Sequence, residues 1–269
     1  MGSQLRTNSQ HRHRPKAPLA SKYNMLDDVT ECCHTRCMTL SPRDRQIVRL
    51  ADYFGQLSTG QLQALAFTDL KSRSSCDRTL KRLTETKYLA KVEKRRVVGG
   101  AHGGSGEYVW QLGPAGWEIC KREGRWHRHA VDYHTLAIVD VYVRLTVAQR
   151  AGGLNLDGFT PEPECHVTVD GIELKPDLLV ELSRPGSGAK LNAWLEIDLG
   201  TERQARLSEK MARYAKAYRS GRVDPFPRVV FVAHDAERAR EIGWLISRLP
   251  ADESVLFRSL DIASFPQGL

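Results

Sequence analysis

The sequence predicts an α+β protein in two parts. A basic, mostly helical unit ending in a β-hairpin is followed by a unit whose strands and helices share a mixed sheet. Three observations carry this. Positive charge is concentrated in the middle third of the chain. Apolar residues follow a helical period up to residue 86, whereas strand-like and helical patterns alternate after residue 150. A glycine-rich run at residues 99–106 separates two strand-like segments.

The chain has 269 residues, with 40 Lys+Arg against 32 Asp+Glu and a net charge of +8. It is long enough to bury a sizeable core and, at 41% hydrophobic residues, too apolar to be disordered throughout. No apolar run approaches the roughly 20 residues of a bilayer-spanning helix. The opening residues are polar and basic, so no secretory signal and no membrane association are expected. Six cysteines in a chain of this length do not suggest a disulfide framework, and an intracellular protein follows. Residues 1–37 carry 6 basic and 3 acidic residues, residues 38–128 carry 17 and 9, and residues 129–269 carry 17 and 20. A polyanion-binding module joined to a mildly acidic second unit is the reading of that asymmetry.

Residues 1–37 have no apolar period and read as a flexible tail. Ser41 is an N-cap candidate, and Pro42 occupies a first helical position where its missing N–H costs nothing. Helical spacing follows through Ile47, Val48, Leu50, Ala51 and Phe54. Ser58 or Thr59 caps a second helix carrying Leu62, Leu65 and Ala66. A third runs over about residues 73–86, with Cys76, Leu80 and Leu83 inward. Strands at 88–98 and 107–112, then a short helix at 114–122, complete a unit spanning residues 38–126. Three helices followed by a hairpin is the order of a winged helix-turn-helix.

The third helix places Arg73, Ser74, Ser75, Arg78, Lys81 and Arg82 outward, hydroxyls and cations suited to base edges and phosphates of a major groove. Lys91, Lys94, Arg95 and Arg96 on the hairpin suit a phosphate backbone. Double-stranded DNA is therefore the expected partner, ahead of RNA or single strands, which call for more exposed aromatics than Tyr88, Tyr108 and Trp110.

Residues 127–269 form the second unit. A long helix at about 129–149, with Ala130, Tyr133, Ala137, Val141 and Leu145 inward, leads to a strand at 164–169. Asp170-Gly171 signals a hairpin. Strands at 172–182 and 193–199, a helix at 202–219, a strand at 228–233, a helix at 235–248 and a strand at 255–260 follow. The core order is α-β-β-β-α-β.

The chemistry gathers on two of these strands. Pro176-Asp177 lies on one, and alternation puts Trp194, Glu196 and Asp198 on one face of the next. Carboxylates at i and i+2 on a core strand repel unless a cation lies between them. Asp177 on the neighbouring strand brings a third. Such hard oxygen donors suit Mg²⁺ or Mn²⁺, an ion able to activate water in phosphodiester cleavage.

These residues resemble the PD-(D/E)XK nuclease fold. Joined to a winged helix, and with a segment reading PDLLVEL, AWLEIDLGTE and then Lys and Tyr, the chain is similar to the replication-relaxation family of plasmids and mobile elements over roughly residues 40–260. The resemblance implies that Asp177 and Glu196 are metal ligands, and that Asp140 or His134 on the preceding helix adds another. Lysine belongs at the third motif position, where this chain has Asp198. Lys210, sharing a helix face with Arg203, Leu207 and Tyr214, is the candidate substitute.

The catalytic set expected is thus Asp177, Glu196, Asp198 and Lys210, in a Mg²⁺-dependent endonuclease that nicks or relaxes DNA during replication or transfer. The alternative is a catalytically inactive transcriptional regulator or replication initiator, its second unit supplying architecture or homodimer contacts. Either acts in the bacterial cytoplasm, associated with nucleoid or plasmid. Tyr214 and Tyr218, one helical turn apart, read as core packing. Cys32, Cys33, His34 and Cys37 match no zinc-module spacing. The glycines of 99–106 match no phosphate loop, because no helix starts after them.

Overall fold

The structure is a computed structural model that describes residues 40–69, 72–92 and 106–269. The expected tail, with Cys32, Cys33, His34 and Cys37, lies outside the described residues. So do Lys94, Arg95 and Arg96.

Helix α1 (Pro42–Phe54) starts at Ser41, whose hydroxyl accepts from Asp44 N while Asp44 returns a carboxylate oxygen to Ser41 N. β1 (Leu57–Ser58) is a two-residue strand that helical periodicity does not reveal. Ser58 then caps α2 (Thr59–Ala66) in a second capping box with Gln61. Helix α3 (Arg73–Glu85) buries Cys76, Leu80 and Leu83, the expected stripe. β2 (Leu89–Lys91) and β3 (Val109–Leu112) pair antiparallel, and β1 joins β3 to make a three-stranded sheet ordered β1-β3-β2. α4 (Pro114–Ile119) follows.

Helix α5 (Tyr133–Arg150) starts four residues later than expected, at the N-cap Asp132. It buries Leu136, Ile138, Val139, Val141, Tyr142 and Leu145, while Tyr133 is half exposed. The single stripe expected from the sequence is too narrow because α5 is covered from two sides. Gln61 Nε2 donates to Leu136 O and to Asp140 Oδ1, and Tyr53 Oη donates to Phe159 O. Phe54, Tyr142 and Phe159 pack ring on ring. One apolar core therefore runs from Leu40 in the first unit to Phe265 in the second.

β4 (Asn155–Pro161) is an edge strand absent from the expected order. Asp, Gly and Pro within it are poor strand formers, and antiparallel pairing with a neighbour overrides them. β5 (Val167–Val169) and β6 (Ile172–Leu174) form a separate hairpin across Asp170-Gly171. Both turn residues have positive φ, 49° and 76°, as a type I′ turn requires. The single strand expected at 172–182 is broken at Lys175-Pro176-Asp177, and β7 (Leu178–Ser183) begins anew. β8 (Lys190–Asp198), α6 (Gln204–Arg219), β9 (Arg228–Ala233), α7 (Ala236–Ser247), α8 (Ala251–Ser254) and β10 (Phe257–Asp261) complete the chain.

The main sheet is ordered β10-β9-β8-β7-β4 and is mixed. β9 lies parallel to β8 and β10, while β7 lies antiparallel to β8 and β4. The architecture is α+β with a mixed sheet, as the sequence reading expects at that level. Val230 and Val232 of β9 face the core under α5, whereas Val229, Phe231 and Ala233 face the core under α6 and α7. β8 repeats the division. Leu195 faces α5, and Trp194 faces α6. Glu196 and Asp198, in phase with Trp194, are therefore driven into the buried interior beneath the helices.

Candidate functional site

Asp177 is the last residue of the break, immediately before β7. β7 pairs with β8 through Leu178 and Leu195, which brings Asp177 next to Glu196 in the antiparallel register. Asp177 N donates to Leu195 O at 3.1 Å, and Ile197 N donates to Asp177 Oδ2 at 2.6 Å. Asp177 thus grips β8 on both sides of Glu196. Behind it, the buried Cys165 thiol donates to Pro176 O, and burial pushes that thiol up to about 12.

Glu196 is 2% exposed. Its Oε2 accepts from Lys210 Nζ at 2.7 Å and its Oε1 from Tyr214 Oη at 2.5 Å. Lys210 and Tyr214 are one turn apart on α6, whose apolar residues Leu207 and Met211 press that face onto the sheet. Burial raises the Glu196 carboxyl to about 7. The Lys210 ammonium opposes this and the Asp177 charge reinforces it. For Lys210, burial disfavours the charge, but Glu196 and Glu202 outweigh it and hold the pKa above the ordinary value. Tyr214 is raised by burial and then by the Glu196 charge, so its phenol stays protonated and donates.

Asp198, two residues on, has different company. Arg238 of α7 meets it with two parallel bonds, Nε to Oδ1 and Nη2 to Oδ2, both 3.0 Å. Gly200 N donates to Oδ1 at 2.6 Å. Gly200 has φ +81°, and a Cβ there would meet the His234 ring at 2.6 Å, so only glycine fits this close turn. Asp198 pairs with Arg238, whereas Lys210 pairs with Glu196 and, at 3.3 Å, with Glu202.

Asp140 and His134 separate as well. Asp140 Oδ1 accepts from Gln61 Nε2 at 2.6 Å. His134, in the first turn of α5, turns Nε2 toward Asp177 Oδ1 at 3.3 Å. The neighbouring Asp177 carboxylate raises the His134 pKa against the effect of burial.

The basic face lies on α3. Arg73, Ser74, Arg78 and Lys81 are exposed, and Ser75 is half-buried. Arg73–Asp77 at 3.8 Å and Lys81–Glu85 at 3.9 Å are loose pairs one turn apart, worth a few tenths of a kcal/mol each. Arg82 is committed inward, its Nη2 2.6 Å from Oδ1 of the buried Asp44. On the hairpin, Lys91 Nζ stands 3.6 Å over the Tyr108 ring.

A model of the replication-relaxation family matches residues 49–229. The chain belongs to the replication-relaxation family. No curated protein and no solved structure matches it.

The matched span of this replication-relaxation protein includes α3, Asp177, Glu196 and Lys210, but ends before Arg238. Sequence reasoning missed Arg238 because 40 residues separate it from Asp198. It also missed Glu162, which no strand or helix pattern marks, and His166, which the expected strand at 164–169 contained without singling it out. Tyr214 was assigned to packing alone. Its position one turn beyond Lys210, on the face expected to reach Glu196, was the available signal. Among the described residues no helix is long and apolar enough to cross a membrane.

Proposed function

We propose that this member of the replication-relaxation family binds double-stranded DNA of a plasmid or mobile element in the bacterial cytoplasm. A nuclease-like second unit would nick or relax that DNA in a Mg²⁺- or Mn²⁺-dependent reaction. The three helices and the β1-β3-β2 sheet support reading the first unit as a winged helix. α3 would enter the major groove through Arg73, Ser74, Ser75, Arg78 and Lys81, and the hairpin would follow the backbone.

The observation that carries the catalytic half is the convergence of Asp177, Glu196 and Lys210 from β7, β8 and α6. The donor set fits a hard divalent ion, with Asp177 and Glu196 as the residues to hold it. When bound, such an ion supplies charge neutralisation on a phosphate and acidifies water. Lys210 would then release Glu196 and turn its ammonium toward the charge that grows on the phosphate oxygens. Tyr214 would keep the remaining Glu196 oxygen oriented. Asp198, clamped by Arg238, would fix the end of β8.

A second reading has its own observation. Both Glu196 oxygens are occupied by protein donors, an arrangement that a non-enzymatic regulator or initiator would keep. Supercoiled plasmid carrying the element's own origin separates the two. With Mg²⁺ or Mn²⁺ the wild type should produce open circles, and Asp177→Asn and Glu196→Gln should not. Intact supercoiled DNA with the wild-type protein defeats the nuclease reading.

A further inference from the structure

Around Asp177 stands a second group of donors. His134 Nε2 lies 3.3 Å from Asp177 Oδ1 and 3.5 Å from Glu162 Oε1. One ligand atom from each of the three lies within 4.8 Å of the others. They come from separate elements: the first turn of α5, the residue after β4 and the residue before β7. Backbone bonding holds the last two together, since Glu162 N donates to Asp177 O at 3.0 Å.

His166 stands beside this group, its Nε2 3.6 Å from Glu162 Oε2, the oxygen that does not face His134. That nitrogen is buried and has no hydrogen-bond partner. Among the described residues only Glu202 Oε2 shares that condition. An orphaned buried donor costs about 1–3 kcal/mol unless something satisfies it.

The spacing around His134 points to an ion. A protonated histidine on a carboxylate closes to about 2.7–2.9 Å. Ligands around a tetrahedral ion with bonds of about 2.1 Å stand about 3.4 Å apart. The separations of 3.3 and 3.5 Å match the spacing of ligands on one ion and are longer than a tight charge-assisted hydrogen bond. Imidazole nitrogens suit borderline transition ions, whereas Mg²⁺ prefers an octahedron of oxygens.

We propose that His134, Glu162 and Asp177 form a site for a divalent transition ion of the Zn²⁺ type, with water as the fourth ligand. The inference rests on the metal reading above in one respect, that Asp177 is a ligand. It requires neither Glu196 nor cleavage.

Co²⁺, a spectroscopically visible stand-in for Zn²⁺, tests it on the full chain after chelator treatment. Titration should give intense visible absorption bands of a tetrahedral, nitrogen-ligated ion, saturating at one Co²⁺ per chain. Zn²⁺ should abolish the bands and excess Mg²⁺ should not. His134→Gln and Glu162→Gln, which keep size and polarity, should weaken Co²⁺ binding by roughly tenfold or more. Glu196→Gln should leave it in place. Absence of a saturable band overturns the proposal, as does displacement by Mg²⁺ as readily as by Zn²⁺. So does a His134→Gln protein, with the wild-type circular dichroism spectrum, that titrates like the wild type. Plasmid nicking without cobalt binding leaves the nuclease reading standing and removes this one. Cobalt binding without nicking does the reverse.

Discussion

The exposed face of α3 and the pocket beneath α6 and α7 use charge in opposite ways. On α3 the cations stand in water, with partners at 3.8 and 3.9 Å that hold them loosely. In the pocket Glu196 and Asp198 are nearly inaccessible, and each has a cation within 3.0 Å. Water screens the first set, so it contributes little to folding and is free to meet an external polyanion. The second set is locked by its own protein, and removing one partner strands a buried charge. Charge on this chain therefore divides into a part that is buried and tightly paired and a part that is exposed and loosely paired. Asp44–Arg82 marks the boundary, with a buried carboxylate at one end and a half-exposed guanidinium at the other.

The largest effect should come from the pocket. Arg238→Ala leaves Asp198 buried without its bidentate partner and should cost about 3 kcal/mol or more of unfolding free energy, measured by urea denaturation. A loss below about 1 kcal/mol would place Asp198 in water and dissolve the contrast.

The boundary pair should give an intermediate effect with a defined pH dependence. Burial raises the Asp44 pKa, but hydrogen bonds from Arg82 and Ser41 outweigh it, and the net shift is downward. A carboxyl lowered on folding contributes stability that is fully present above its unfolded value, about 3.9. That stability is lost as pH falls through the lower folded value. Asp44→Asn should cost about 1–2 kcal/mol at neutral pH. Its stability should also fall less steeply than that of the wild type below about pH 4. Parallel acid limbs for the two proteins would show that Asp44 is not the group responsible.

The smallest effect on folding belongs to α3. Arg78→Ala should move stability by no more than about 0.5 kcal/mol. It should nonetheless weaken duplex binding and reduce the slope of log K against log salt by about one. A large loss of stability with unchanged DNA affinity would reverse the assignment.

The sequence displayed these two regions unequally. Helix starts were readable because caps are local: Ser41 with Pro42 announces α1, and Ser58 or Thr59 announces α2, the structure selecting Ser58. β9 was readable because a continuous apolar run between turns has few other fates. β4 was hidden by its own Asp, Gly and Pro, and the break at Pro176 by the apolar residues on either side. In the site, Asp177, Glu196 and Lys210 follow from strand alternation and a helix face. Glu162 and Arg238 do not, because tertiary packing alone brings them to Asp177 and Asp198.

The central claim is that Asp177 ligates a divalent ion. Crystals of the full chain soaked in Mn²⁺, with data collected to record manganese anomalous scattering, address it most directly. The account predicts an anomalous peak within about 2.5 Å of an Asp177 carboxylate oxygen. Ordered density for Asp177 with no peak beside it, under soaking conditions that saturate the protein in solution, would contradict the account.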